Sequence, residues 1–461
     1  MILLLGAFVD TPALVIDEAG IIVHFEDKNT PESIQQISAT TQRGELVIEV
    51  PVGSFILPTF CDLHLHAPQF LYQGNGLDLP LLEWLDKYTY KAEERLDSDP
   101  ILAKRVYERL AERLLENGTG AVSLFGTIRE ETNLILAKSM LDRGIRARVG
   151  KLSMDISTRP TYVESSTEAS LEAAERFVAD CCAISHSKSS STPLIEPVLT
   201  PRFVPTCSDE LLRGLASLSG QSIHIQSHLA EAHDQVEWVR STRGKDDIDV
   251  FGDAGLLTER ALQAHCTYLT PPDLKRLVDT GTSVAHCPLS NVYFSSKPFP
   301  LREALDMGVK VGLGTDVAGG YSLDIMNAMR NAVAISRMRE GHRVSEQGGS
   351  RDSAGKSLAI TWIEAVYLAT RGGAIALGGS SANLGLFRVG SPFDAQQIRL
   401  FDEQGQGVGP LDFFDLDSGV NGQGPHWLTQ DIIEKWWCIG DRKNRVRVWV
   451  QGQQQRALDN S

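Results

Sequence analysis

The feature that most constrains the fold is an alternation of short apolar runs with longer helical stretches between about residues 55 and 340. Eight such pairs occur, from FILPTFCDLHLH and its following helix to VKVGLGTD followed by SLDIMNAMRNAVAISRMR. Apolar runs that alternate with helices are typical of parallel strands, and eight in succession is the order of a closed barrel. We therefore predict an α/β fold, a (β/α)8 TIM barrel.

The two ends of the chain have a different pattern. ALVID, GIIVHFE and GELVIEV near the start, and FDAQQIRLFD and NRVRVWVQG near the end, are short β-rich runs bounded by turn residues. Since neither end has enough strands for a stable sheet, we predict that they pair into one small discontinuous β-sandwich domain. The expected domain limits are 1–55 and 377–461 for this domain and 56–376 for the barrel. The polar segments 185–193 and 346–357 are predicted surface loops.

Composition argues against several classes of partner. The 44 Lys and Arg against 59 Asp and Glu give a formal net charge of −15, whereas nucleic acid and membrane surfaces bind clustered basic residues. No apolar segment approaches the roughly 20 residues of a membrane helix, and MILLLGAFVD lacks the basic start of a signal peptide and is predicted as a strand. The seven cysteines form no C-x-x-C pair. We therefore expect a cytoplasmic protein that binds neither nucleic acid nor membrane.

Two histidines one residue apart close the first barrel strand. His64 and His66 face the same side because strand side chains alternate, although two polar residues at an ordinary strand mouth would show the same pattern. His228 ends the fifth strand, His265 ends the sixth, and Asp316 follows the eighth. Because the carboxyl ends of barrel strands meet at one face, we expect these five side chains to converge.

Three imidazoles and a carboxylate suit zinc or a similar divalent ion, and a catalytic site would keep one position open for water. Such an ion lowers the pKa of its water from about 15.7 to about 7. His265 is either a fourth imidazole ligand or a group that polarises the attacked bond, and Asp316 could bind the ion, accept a proton, or do both. The fourth strand, LIEPVLTP, has no lysine that could bridge a second ion. We therefore expect one metal ion per subunit.

Glu231 lies three residues after His228. A carboxylate at this position could take a proton from the attacking water and pass it to a leaving amine, a role worth about 10² to 10⁴ in rate. The alternative is a glutamate that only favours the start of the next helix. The neighbouring histidine favours the catalytic interpretation.

The runs that carry these residues resemble a known family. H-x-H, SHLAE, AHC, VAHCPLSN and GLGTD are similar to the metal-dependent deaminases of the amidohydrolase superfamily. CDLHLHAPQFLYQGNGLDLPLLEWLDKYT, LTPRF and GLGTDVAGGYS resemble the guanine deaminase family within it. The resemblance implies hydrolysis of guanine to xanthine and ammonia, one zinc ion per subunit and a homodimer with the two-domain architecture given above.

The resemblance also implies a role for each site residue. Glu231 would transfer the proton, and His265 would polarise the attacked bond without binding the metal. Gln69, Arg202 and Phe203 would contact the purine. The zinc ligands would be His64, His66, His228 and Asp316. The substrate would also be bordered by His228, Glu231 and Asp316, and the catalytic groups would be Glu231, His265 and Asp316.

The chemistry of two of these side chains supports their assignment independently. The planar fork of Arg202 suits the adjacent O6 and N7 acceptors of guanine, although an ion-pairing arginine at a strand end is the alternative. Phe203 could stack on a planar base, a contact worth about 1–3 kcal/mol, or it could simply pack in the core.

Several alternatives remain open from the sequence. The protein could deaminate another heterocycle, such as cytosine, a triazine or a pterin, or it could be a scaffold without catalysis. His286 could support the site or fill the barrel end, and GLDLPLLEWL could be a lid, a dimer contact or packed helix. We interpret four scattered histidines as structural or solvated: His24, His186, His342 and His426.

Overall fold

The structure is a computed structural model. It describes residues 2–5, 12–186, 192–220, 222–346, 356–402, 404–412 and 428–455. Most of the two predicted polar loops (187–191 and 347–355) and His426 lie outside the described residues.

The described residues form the following elements. The strands are β1 (Ile2–Leu5), β2 (Pro12–Ile16), β3 (Ile22–Asp27), β4 (Leu46–Glu49), β5 (Ser54–Pro58), β6 (Phe60–His66), β7 (Thr119–Phe125), β8 (Arg146–Gly150), β9 (Leu152–Ser153), β10 (Ile195–Pro201), β11 (His224–Leu229), β12 (Ala261–His265), β13 (Ser283–His286), β14 (Val311–Leu313), β15 (Ala395–Arg399), β16 (Arg445–Val450) and β17 (Gln453–Gln454). The α-helices are α1 (Pro31–Gln42), α2 (Leu81–Trp84), α3 (Tyr90–Ser98), α4 (Pro100–Glu116), α5 (Glu130–Asp142), α6 (Thr167–His186), α7 (Asp209–Ser219), α8 (His233–Arg243), α9 (Asp247–Asp253), α10 (Pro271–Thr280), α11 (Pro288–Phe294), α12 (Leu301–Met307), α13 (Ile325–Glu346), α14 (Trp362–Ala369), α15 (Arg371–Leu377) and α16 (Gln430–Ile439). Among the described helices, none has both the length and the apolar character needed to span a bilayer.

The predicted barrel is confirmed. Its sheet has the strand order β14-β13-β12-β11-β10-β8-β7-β6, with β9 paired to β10. Neighbouring strands run parallel, as in the pairs β11 with β12 and β13 with β14. The segment after β14 meets β6, because Asp316 N donates to His64 O at 2.8 Å and His66 N donates to Val317 O at 3.0 Å.

Asp62 stabilises the contact between β6 and the segment after β14. Its buried carboxylate accepts hydrogen bonds from Thr315 N at 3.0 Å and from Thr315 Oγ1 at 2.5 Å. Gly314 lies against His64 so closely that an added Cβ would be 2.9 Å from both the His64 Cβ and the Cys287 Sγ. A side chain at Gly314 would clash with these atoms, and the absence of one lets the segment after the eighth strand approach the first strand.

The chain ends form the separate β unit that the sequence predicted. Of the described residues, those within Met1–Phe60, Leu114–Gly120 and Asn383–Ser461 make one compact unit, and those within Cys61–Arg113 and Ala121–Ala382 make the other. The smaller unit contains two four-stranded sheets, ordered β3-β2-β1-β4 and β17-β16-β15-β5. The domain limits at residues 55 and 376 stay a prediction.

Two local features of this unit differ from the prediction. The run from Phe55 to His66 is not one strand, because β5 pairs with β15 while β6 enters the barrel sheet. The helix α1 was not predicted, although Thr30 caps it by accepting from Ser33 N at 3.2 Å and Pro31 starts it, which are ordinary helix-start signals.

Trp449 occupies the centre of the smaller unit's core. It is fully buried, lies 5.6 Å from Phe393 between ring centroids, and packs in a cluster with apolar residues of both sheets. We expect Trp449→Ala to lower the unfolding free energy of this unit by about 3–5 kcal/mol, because it leaves a large cavity. Thermal melting followed by circular dichroism measures the effect, and Trp449→Phe, which keeps an aromatic ring and leaves a smaller cavity, serves as the conservative control. Equal melting temperatures for Trp449→Ala and wild type would contradict this account.

Candidate active site

The histidines and the aspartate singled out in the sequence converge at the carboxyl end of the barrel. His64 and His66 come from β6, His228 from β11 and His265 from the end of β12, while Asp316 follows β14. All five side chains are buried. The convergence arises because parallel strands deliver their last residues to the same face of a barrel.

Four of these side chains present their ligand atoms to one point. His66 Nε2 lies 3.0 Å from His228 Nε2, and His64 Nε2 and His66 Nε2 lie 3.1 and 3.6 Å from Asp316 Oδ1. Atoms at the corners of a tetrahedron with bonds of about 2.1 Å to a central metal lie about 3.4 Å apart. These three distances are close to the edge length of a tetrahedral metal site.

The hydrogen bonding of these groups also fits a cation. Within the described residues, His64 Nε2 makes no hydrogen bond of acceptable geometry although it is buried. His228 Nδ1 donates to the Arg202 carbonyl oxygen at 2.6 Å, which leaves the Nε2 lone pair facing the other ligand atoms. A buried ring nitrogen that faces only other acceptors indicates a position for a metal ion.

Burial favours the neutral form of the His66 and His228 imidazoles. Burial, followed by the neighbouring His64, lowers the pKa values of both His66 and His228 well below the ordinary range. Burial opposes ionisation of Asp316, yet the interactions with His64 outweigh it and hold its pKa below the usual value. Neutral imidazoles and an ionised carboxylate are the forms that bind a divalent ion.

Glu231 and His265 border the same point. His265 Nε2 lies 3.5 Å from Glu231 Oε1 and 3.8 Å from Asp316 Oδ2. Burial, reinforced by the charge of Asp316, raises the pKa of Glu231 well above its ordinary value. Burial lowers the pKa of His265 to about 4. A buried carboxyl group whose pKa is raised, beside an imidazole whose pKa is lowered, is typical of an acid–base pair in an active site.

The backbone at this end of the barrel is strained. His265, Asp316 and Ala230 adopt φ angles of 69°, 50° and 46°, a left-handed conformation that is unfavourable for residues other than glycine. Each such residue costs of order 1–3 kcal/mol, and surrounding structure must hold it in place. Clustering of such residues around one point is typical of functional sites.

A pocket of about 340 Å³ of empty space opens beside the converging side chains. Gln69, Arg202 and Phe203 line it, as the sequence predicted for substrate contacts, together with Glu231. Gln69 Oε1 accepts a hydrogen bond from Ala318 N at 3.2 Å. The pocket is also lined by Leu81, Trp84, Leu85, Phe294 and Gly319. Three of these belong to the GLDLPLLEWL run, which therefore forms part of the pocket wall.

The sequence left open whether Arg202 contacts the substrate or forms an ion pair at a strand end. It lines the pocket, and it also forms a buried ion pair in which Nη1 and Nη2 donate to Glu93 at 2.6 and 3.1 Å. Although burial opposes its charge, Glu93 raises the pKa of Arg202 above the ordinary value. Its guanidinium fork therefore faces Glu93.

Sequence reasoning missed three residues of the site. Glu93 on α3 pairs with Arg202, Asn291 lies 2.9 Å through Oδ1 from His265 Nδ1, and the Phe125 ring centroid is 4.6 Å from that of His64. Asn291 could have been predicted from the sequence, because it ends the VAHCPLSN run that resembles the family. The charge of Glu93 gave no signal, since a glutamate on a helix is usually exposed.

The other histidines lie apart from this cluster. His286 is buried, and its Nδ1 lies 3.4 Å from Asn291 Nδ2, so it contacts the residue that holds His265. His24 bonds Ser33 in the smaller unit, and His342 is exposed beside Glu346. The side chain of His186 lies outside the described side chains.

Comparison with known proteins identifies the family. The amidohydrolase family model matches residues 55–454. The chain is 34% identical to the guanine deaminase of Dictyostelium discoideum over 446 residues (95% of this chain and 92% of that protein) and 36% identical to that of Mus musculus over 447 residues (96% and 91%). The structure superposes with a TM-score of 0.80 on guanine deaminase from C. acetobutylicum with bound guanine, at 27% identity and 99% coverage of both chains. The chain therefore belongs to the amidohydrolase family.

Proposed function

We propose that this protein catalyses the hydrolytic deamination of guanine to xanthine and ammonia. The observation that carries the proposal is the presence, in one buried pocket, of three clustered imidazoles beside the Asp316 carboxylate, an acid–base pair and polar groups suited to a purine. Relatives about 35% identical over almost the whole chain are guanine deaminases, which supports the same conclusion.

We propose zinc as the resident metal, one ion per subunit, with four ligands: His64, His66, His228 and Asp316. A bound zinc ion would lower the pKa of a coordinated water, so that a nucleophile forms at neutral pH. The mutual distances of the ligand atoms support this ligand set. Proton transfer and orientation of the purine are assigned to side chains.

Glu231 is proposed to move the proton. Its Oε1 would accept a proton from the attacking water and deliver it to the 2-amino nitrogen of guanine, which leaves as ammonia. Its raised pKa supports this role, since a group that transfers protons both ways works best near the operating pH. Asp316 would assist as a second acceptor beside His265, whose Nε2 would polarise the attacked bond.

The pocket wall is proposed to orient the purine. Gln69 offers an amide, Arg202 a guanidinium edge, and Phe203 an aromatic face, and all three line the cavity. Stacking on an aromatic ring contributes about 1–3 kcal/mol per base. The apolar cover formed by Trp84 and Phe294 would exclude water from the reacting atoms.

Incubating zinc-loaded protein with guanine, and following guanine loss by ultraviolet absorbance together with ammonia release, tests the proposal. Cytosine, a triazine and a pterin serve as comparison substrates. A pocket that hydrogen-bonds the substrate should reject compounds lacking the matching groups by about 10⁴ in kcat/KM. Absence of turnover with guanine, or a larger kcat/KM for a comparison compound, would overturn the assignment.

We also propose that the protein is a cytoplasmic homodimer. The cysteine pattern supports a reducing compartment, and the resemblance to the guanine deaminase family supports the dimer. Analytical ultracentrifugation tests the dimer. A single species near the 50.5 kDa mass of one chain would contradict it.

A further inference from the structure

A buried ion pair forms part of the pocket wall. Arg202 donates through Nη1 to Glu93 Oε2 at 2.6 Å and through Nη2 to Glu93 Oε1 at 3.1 Å, and neither side chain is more than 2% exposed. The Tyr90 ring centroid lies 5.2 Å from Arg202 Cζ, where its face attracts the cation. The guanidinium is therefore fixed by a two-point contact at its end and by an aromatic face.

Glu93 also reaches a second residue of the pocket. Gln69 Nε2 donates to Glu93 Oε1 at 3.4 Å, while Gln69 Oε1 accepts from Ala318 N at 3.2 Å. Because the oxygen and the nitrogen of the amide have different partners, only one of its two orientations satisfies both. One carboxylate thus constrains two of the residues proposed to recognise the purine.

Stability alone does not account for a charged pair at this position. Burying two charges has a large desolvation cost, and an apolar pair of the same shape is often equally stable. The pair does change the field inside the pocket. An unpaired arginine in a medium of low dielectric constant would attract anions strongly, whereas the bidentate pair carries no net charge.

We propose that Glu93 is a positioning residue that fixes Arg202 and Gln69 and, by cancelling the charge of Arg202, makes the pocket favour an uncharged purine over a purine anion. This inference rests on the proposed function. Guanine is uncharged at neutral pH. Its deamination product has a second ring carbonyl in place of the amino group, and the ring N–H groups of this product ionise more readily. The neutral pair therefore shifts binding toward the uncharged substrate and away from the ionised product.

Two variants separate the charge of Glu93 from its geometry. Glu93→Gln keeps the size of the side chain and removes its charge. We expect KM for guanine to rise about ten-fold or more, and the ratio of the xanthine inhibition constant to that KM to fall about ten-fold at pH 8. Glu93→Asp keeps the charge but is one methylene shorter, so KM should rise while the ratio stays at the wild-type value.

A matched control lies outside the pocket. Glu164 forms a comparable buried ion pair, with Lys151 Nζ at 2.6 Å from its Oε1. Glu164→Gln should lower the melting temperature and leave the ratio unchanged. Zinc content, measured by mass spectrometry for every variant, reports separately on the metal site.

The outcomes are distinct. If wild-type protein does not deaminate guanine, the proposed function fails, and this inference falls with it. If wild type is active and the ratio in Glu93→Gln equals that of wild type, only this inference is overturned. Should Glu93→Gln not fold, the ultraviolet spectrum of xanthine bound to wild-type protein, at a pH where free xanthine is half ionised, decides the question. The spectrum of the neutral purine supports the inference, and that of the anion overturns it.

Discussion

Replacing Glu231 with glutamine is expected to lower kcat for guanine deamination by about 10² to 10⁴. Glutamine has nearly the same shape, yet its amide neither accepts a proton from water nor delivers one to the leaving nitrogen. The carboxyl group lies in the pocket, 3.5 Å from His265 Nε2. Steady-state kinetics over a range of guanine concentrations measure kcat and KM separately, and KM should change far less than kcat.

The control for this prediction is a second glutamate on the helix that follows. Glu237 on α8 is exposed, and its contact with Arg240 is a surface ion pair of 3.8 Å. Glu237→Gln should therefore behave as wild type. Zinc content and melting temperature should be unchanged in Glu231→Gln, so that loss of rate is not confused with loss of structure. A Glu231→Gln variant that retains more than about a tenth of wild-type kcat would contradict the proton-transfer role.

Removing the metal with a chelator is expected to abolish activity and to lower the melting temperature, and added zinc should restore both. The cation would bind ring nitrogens that lie 3.1 and 3.6 Å from Asp316 Oδ1, for His64 and His66, and 3.0 Å from each other, for His66 and His228. A ligand that binds only the folded state contributes about 4.1 kcal/mol of stability when its concentration is 1,000 times Kd. Calorimetry with and without zinc measures this difference.

A pair of histidine variants makes the metal experiment specific. His64→Ala removes one proposed ligand, and its melting temperature should no longer respond to zinc. His342→Ala removes an exposed histidine whose side chain is 76% accessible and which lies on α13, so it should respond to zinc as wild type does. Full activity of protein shown by elemental analysis to contain no metal would refute the proposal.

The sequence was sufficient to predict the barrel and the residues at its mouth. Strand order needed only the alternation of apolar runs with helices, and the position of His64, His228 and Asp316 at strand ends followed from it. In a parallel barrel, the carboxyl ends of all the strands lie at the same face. A residue's position along the chain therefore predicts which other strand-end residues it meets.

The sequence was not sufficient where contacts depend on how a helix docks. Glu93 lies on α3, and only the packing of that helix against the barrel mouth shows that its carboxylate is buried beside Arg202. The position of Trp84 in the pocket wall likewise depends on how its helix packs. The helix α1 was missed for a different reason, since its short, polar sequence between two strands has little apolar periodicity.

The pairing of β5 with β15 has a consequence for synthesis on the ribosome. Ser54 pairs with Arg399, so the second sheet of the smaller unit cannot form until residues beyond 399 have been translated. At about 5–20 residues per second, the nascent strand waits roughly 17–70 s for its partner. During that interval Phe55 and Leu57, both buried in the finished protein, are exposed to water and to other chains. Chaperones that bind extended apolar segments would find their target there, at the start of the polypeptide.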